Sequence, residues 1–221
     1  MLLSRHSVAL VLSVIASASG MPPAGPVVDQ ALFSRANTTA PKVFGILLFK
    51  GFTPLDIFGP IEALQAVARR ETLKLYLLSD TLDPVTTEPA INTANSSFFP
   101  LIVPTHTFAN APQLDVLLVP GGAGMRAPAA ELKPHTDYIA KVFATVPYFL
   151  TVCTGSGLAA RAGVLDGRYA TTNKIAFNQM RTFGPNVKWV APARWVIDGH
   201  VWTSSGVCTA PVWSFCRCED D

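Results

Sequence analysis

The chain has 221 residues, 49% hydrophobic and only 14% charged, enough apolar side chain to bury one sizeable core and too little charge for a disordered tail. Its 17 basic and 15 acidic side chains leave a net charge of +2 with no long Lys/Arg run, so nucleic acid is not an expected partner. Four cysteines are too few for a disulfide scaffold, and four histidines, one of them at position 6, do not readily make a metal cluster.

Residues 1–20 combine a head carrying Arg5 and His6, an apolar run from Val8 to Ile15 and the small residues Ala16-Ser17-Ala18. That order predicts a cleaved signal peptide and a secreted or secretory-pathway protein; the run is too short for a stable membrane anchor. The sequons Asn37-Thr38-Thr39 and Asn95-Ser96-Ser97 fit the same route. Residues 21–41 are rich in Pro, Ala, Ser and Thr without an apolar period and predict an irregular leader.

The ordered pattern begins after that leader. Val43 to Phe49, Leu73 to Leu78, Val116 to Val119 and Tyr148 to Val152 are nearly continuous apolar runs of the length of strands buried on both faces. Between them, Pro60 to Arg70 and Pro134 to Val146 are predicted as helices opening on proline, and Gly157 to Ala162 as a helix directly after a strand. Alternating strand and helix predicts an α/β doubly wound parallel sheet. Val187 to Val190, Trp195 to Ile197 and Val201 to Ser204 are short strand-like pieces, the last two joined through Asp198-Gly199-His200 as a small antiparallel hairpin.

Ligands of an open α/β sheet gather at the carboxyl ends of its strands, which draws attention to three strand exits. In Thr151-Val152-Cys153-Thr154-Gly155-Ser156-Gly157 an apolar strand runs into a cysteine and then into small residues that open a helix, the layout of a nucleophile elbow with Cys in place of Ser. Helix N-terminal N–H groups are expected to lower the thiol pKa of Cys153; the alternatives are a plain buried cysteine and half of a disulfide. Gly121 and Gly122, in Val119-Pro120-Gly121-Gly122-Ala123-Gly124, are expected to turn N–H groups into the cleft for an oxyanion or substrate, or to form a tight turn without a ligand. Gly122–Ala127 and Gly155–Ala160 both read G-x-G-x-x-A, but neither follows the first strand or precedes a suitably spaced acidic residue, so a dinucleotide is not expected. At the third exit Asp56 lies among Leu55, Ile57 and Phe58 and is either the cap of the following helix or an acid/base group facing a pocket. Partial desolvation would raise its pKa toward neutrality.

Five segments together resemble the DJ-1/PfpI superfamily, and within it the isonitrile hydratase-like branch. They are Gly45-Ile46-Leu47-Leu48-Phe49 with Leu55-Asp56-Ile57-Phe58-Gly59-Pro60, Asp115 to Gly122, Val152-Cys153-Thr154-Gly155, Ala170-Thr171-Thr172-Asn173-Lys174, and Trp202 to Gly206. The resemblance spans residues 42–207. It implies a flavodoxin-like sandwich, a homodimer, no cofactor and a small-molecule substrate. It also implies that Cys153 is the nucleophile of a hydro-lyase, with Asp56 and Thr154 as its catalytic partners. Threonine 154 stands where many members carry a histidine, and Asn173 where some carry another, which weakens a cysteine–histidine hydrolase. Other roles implied by the superfamily are a redox-sensing or scaffold module and a glyoxalase or hydrolase acting on small carbonyl compounds. Relatives continue from the Ser-Ser-Gly stretch into a long helix, whereas residues 208–221 form an atypical tail; the C-terminal helix is therefore expected to be truncated.

Overall fold

The computed structural model describes residues 40–206; the expected signal peptide, all but the end of the leader, and the atypical tail lie outside them. The four apolar runs all form strands: β1 (Val43–Leu47), β2 (Lys74–Ser79), β6 (Val116–Val119) and β7 (Tyr148–Val152). With β5 (His106–Thr107), β10 (Trp195–Asp198) and β11 (Val201–Ser204) they make one seven-stranded sheet in the order β10-β11-β7-β6-β1-β2-β5. Every pairing in it is parallel except the β10–β11 hairpin, which turns at Gly199 with φ 64°. The expected doubly wound α/β sheet and its small hairpin are thus the fold.

The core explains why the runs carry so little alternation. Leu47, Leu117, Val119, Phe149, Leu150 and Val152 are all fully buried, as central parallel strands covered on both faces must be. The Asp115 carboxylate accepts the N–H groups of Lys42 and Val43 at 2.8 and 2.9 Å, fixing the start of β1 beside β6.

The helices depart from expectation at their starts. Helix α1 covers Pro54–Ala68 and α2 covers Ala129–Phe143, so Pro54 takes the first helical position while Pro60 and Pro134 lie inside. Each internal proline forfeits one i→i−4 hydrogen bond. Helix α3 (Gly155–Arg161) begins at Gly155 rather than at Gly157, and α4 (Phe177–Phe183) had no counterpart in the sequence pattern. Val187 to Val190 yields β9 (Lys188–Trp189), which pairs in parallel with β8 (Tyr169–Ala170) as a separate two-stranded sheet. Strands β3 (Val85–Thr86) and β4 (Leu101–Ile102) form a second such sheet, antiparallel.

The chain runs from β1 outward to β2 on one side, while β6 and β7 continue on the other. The sheet therefore has its switch of direction between β1 and β6, where the loops leaving the two strands diverge and open a crevice.

Candidate active site

Two loops are stitched together across that crevice. The Thr53 N–H donates to Gly121 O at 2.8 Å, the Gly124 N–H to Gly51 O at 3.1 Å, and Phe52 bridges Gly122. The stitching places the first turn of α1 over the loop that leaves β6. Asp56, third residue of α1, is thereby turned inward and is only 3% exposed. Its carboxylate caps nothing in its own helix; Oδ2 accepts the Gly121 N–H at 2.8 Å. Of the two roles open to Asp56, the cap is excluded.

Cys153 follows β7 at the neighbouring exit. Its backbone has φ 57°, the left-handed region that a residue with a Cβ enters at a cost of about 1–2 kcal/mol. Such strain is the hallmark of a nucleophile elbow, and it persists because the turn is held from all sides. The Cys153 N–H donates to Ser204 O at 3.0 Å, and Cys153 O accepts Thr172 Oγ1 at 3.1 Å and Ser156 Oγ at 3.3 Å. The side chain is a free, half-buried thiol.

Gly121 lies between these two groups. A Cβ built on it would sit 2.8 Å from Asp56 Oδ2, 2.8 Å from Cys153 Cβ and 2.7 Å from the Thr154 nitrogen. No side chain fits there, and twice that distance bounds the separation between the carboxylate oxygen and the cysteine Cβ. Gly122 is held at φ 142°, and a Cβ on it would meet Gly51 O at 2.3 Å. Its N–H donates to Thr154 Oγ1 at 2.9 Å. Asp56, Cys153, Thr154, Gly121 and Gly122 are thus assembled in one place. The expectation that Gly121 and Gly122 turn free N–H groups toward a substrate is corrected, because both are spent on Asp56 and Thr154.

The electrostatics correct a second expectation. Burial, and then the charge of Asp56, push the Cys153 thiol above its ordinary pKa. Hydrogen bonds to the sulfur from the Thr154 amide, the Asn173 side chain and the Thr154 hydroxyl act in the opposite sense without prevailing. Helix α3 has only seven residues, and the lowered thiol pKa expected at its start is not found. Asp56 moves as expected: desolvation raises its pKa to about 6, against the lowering effect of the Gly121 N–H. Near neutral pH the resting pair is therefore a carboxylate beside a protonated thiol. A base of pKa about 6 adjacent to a thiol can accept its proton as the sulfur attacks an electrophile.

Asn173 was legible only as the place of a missing histidine. Its Oδ1 accepts the N–H groups of Ile175 and Ala176 at 3.1 and 3.2 Å, an Asx turn leading into α4. An asparagine four residues before the start of α4 was the available signal.

The profile of the DJ-1/PfpI family matches residues 42–218. The chain belongs to the DJ-1/PfpI family. Among its relatives is an isonitrile hydratase of Pseudomonas putida, 33% identical over 165 residues, which are 74% of this chain and 64% of the hydratase. A transcriptional regulator of the helix-turn-helix type, GbdR of Pseudomonas aeruginosa strain UCBPP-PA14, is 27% identical over 175 residues, 78% of this chain and 44% of the regulator. The chain thus spans under two thirds of the length of either relative. A family member of known structure from Pseudomonas syringae superposes with a TM-score of 0.62 at 29% identity, covering 88% of this chain and 73% of its own. The family therefore includes both an enzyme and regulators of transcription. Among the described residues no group of three or more His, Cys, Asp or Glu side chains is arranged to hold a metal ion, and no helix is long and apolar enough to cross a membrane.

Proposed function

We propose that this protein is a cysteine-dependent hydro-lyase that adds water to an isonitrile and releases an N-substituted formamide. The observation that carries this function is the Asp56–Cys153 pair: a buried carboxylate with a pKa of about 6 held across Gly121 from a protonated thiol. The 33% identity to the Pseudomonas putida isonitrile hydratase adds support and supplies the substrate class.

An isonitrile presents an electrophilic terminal carbon, which a soft sulfur nucleophile suits. As the Cys153 sulfur bonds to that carbon, the Asp56 carboxylate takes the thiol proton. The electron pair left on the carbon then receives this proton from Asp56, giving a thioimidate. Water adds to the thioimidate carbon as Asp56 takes one of its protons and passes it to the nitrogen, leaving a hydroxyl on the carbon. Breakage of the carbon–sulfur bond expels the Cys153 sulfur, the hydroxyl proton returns to it through Asp56, and the formamide is left. The net change is one water added to one isonitrile, with Asp56 moving the proton at every step. Thr154 holds the glycine loop: its hydroxyl accepts the Gly122 N–H at 2.9 Å and donates to Gly122 O at 3.3 Å.

A thiol held above its ordinary pKa disfavours the redox-sensing alternative, because oxidation by peroxide proceeds through the thiolate. The test is NMR detection of formamide from a water-soluble alkyl isonitrile, with Cys153→Ala as the control. Formamide formed by the wild type and not by Cys153→Ala is expected. Absence of formamide, with turnover of a small dicarbonyl compound instead, overturns the assignment in favour of carbonyl chemistry.

A further inference from the structure

We propose that Asn95 is the acceptor of an N-linked oligosaccharide, carried on the loop that joins β3 to β4. This modification site is independent of the hydratase function and rests on the geometry of that loop.

The loop is closed by one side chain. The Asn92 carboxamide donates to Ser96 O at 2.8 Å and accepts the Ser96 N–H at 3.1 Å, while its Nδ2 also reaches Glu88 Oε1 at 2.7 Å. Within the closed segment the Asn95 N–H donates to Asn92 O at 3.2 Å, a β-turn that leaves Asn95 at φ 51°. Asparagine enters this left-handed region more readily than most residues with a Cβ, so the turn accounts for the backbone at Asn95. It makes no use of the side chain. Among the described residues the Asn95 carboxamide and the Ser97 hydroxyl are exposed and have no hydrogen-bond partner, whereas Asn92 and Ser96 are both engaged.

Asn95-Ser96-Ser97 is an acceptor triplet, and the fold presents it as a usable one. A branched sugar chain rooted at a loop tip leaves the surface without displacing any packed group. The surroundings supply a second observation. Ile91 and Phe98 flank the closed loop and are 80% and 92% exposed, and Leu101 of β4 is exposed on the same hairpin. Large apolar side chains gathered on one short stretch of surface favour self-association. A hydrophilic chain at Asn95 stands beside this strip and opposes that association.

The reaction takes its co-substrate, a lipid diphosphate-linked oligosaccharide, from the secretory pathway, which residues 1–20 predict the chain to enter. Asn95 Nδ2 bonds to the anomeric carbon of the sugar, the bond from that carbon to the diphosphate oxygen breaks, the diphosphate leaves with the electron pair, and the amide gives up one proton.

The test is expression of the full chain, with its own residues 1–20, in a secretory eukaryotic cell. Treatment with peptide N-glycosidase in heavy-oxygen water converts each glycosylated asparagine to an aspartate carrying one heavy oxygen, which mass spectrometry of the peptides locates. We expect the label at Asn95 in the wild type, in Ser97→Thr and in Asn37→Gln, which removes the other acceptor triplet. Ser97→Ala keeps Asn95 and its turn; it should lose the label at Asn95 and self-associate more than the wild type in light scattering. An unlabelled Asn95 peptide in the wild type overturns the proposal, whether the protein is secreted bare, carries sugar at Asn37 alone or stays in the cytosol. A label that persists at Asn95 in Ser97→Ala overturns it as well, because the modification would not then depend on the triplet.

Discussion

The Asp56 carboxylate and the Cys153 Cβ approach one another across Gly121, each 2.8 Å from the point a Gly121 side chain would occupy. The absence of a side chain at one loop position thus lets the exits of β1 and β7 share a site, and it makes Gly121 part of the chemistry without touching a substrate. Gly121→Ala forces the loop, Asp56 or the elbow to move. We expect a loss of stability of about 1–3 kcal/mol from overpacking. Activity should fall by at least about 10², since a displacement of about 1 Å suffices for that. Denaturant unfolding and steady-state kinetics of the one variant measure both.

The left-handed backbone at Cys153 gives a test of stored strain. In most positions alanine is more stable than glycine by about 0.5–1 kcal/mol, whereas at φ 57° glycine is the residue without a penalty. Cys153→Gly should therefore unfold at a higher denaturant concentration than Cys153→Ala, and both should lack turnover. The usual alanine-over-glycine order would show that the elbow carries no strain.

Burial of Asp56 also has a signature in stability. Its folded pKa of about 6 lies above the ordinary 3.8, so the folded state binds the proton more tightly than the unfolded chain does. The resulting stabilisation is complete below pH 3.8 and is lost as pH rises through 6. Relative to Asp56→Asn, which has no such proton, the wild type should lose about 2 kcal/mol between pH 4 and pH 7.5. Urea melts of both proteins across that range give the difference directly; a constant difference would mean that Asp56 is not desolvated.

Much of this was open to reading in the sequence. The buried strands announce themselves as continuous apolar runs because central parallel strands have no solvent face, and Cys153 and Asp56 stand out because small or apolar neighbours surround a reactive group. What escaped has physical causes. Pro54 and Pro60 are equally acceptable at a helix start, so local residue type does not decide that the helix begins at Pro54. Strands of two residues, such as β8 and β9, are too short to show a period. The direction in which the thiol pKa moves is a balance between burial, the Asp56 charge and three hydrogen-bond contributions that reach the sulfur from two different loops. Likewise, the partners of the Gly121 and Gly122 N–H groups are remote in the chain, 65 and 32 residues away.

The most direct test of the account is the pH dependence of kcat/KM for isonitrile hydration in the wild type and in Asp56→Asn. Ionised Asp56 must take the thiol proton, so the wild-type rate should rise with pH through about 6 and then level off. In Asp56→Asn that limb should vanish, with activity at pH 7.5 reduced by about 10² to 10⁴ and the residue of it rising only as the thiol itself ionises at alkaline pH. An unchanged limb near pH 6 in Asp56→Asn, or near-wild-type turnover by that variant at pH 7.5, would contradict the assignment of Asp56 as the proton partner of Cys153.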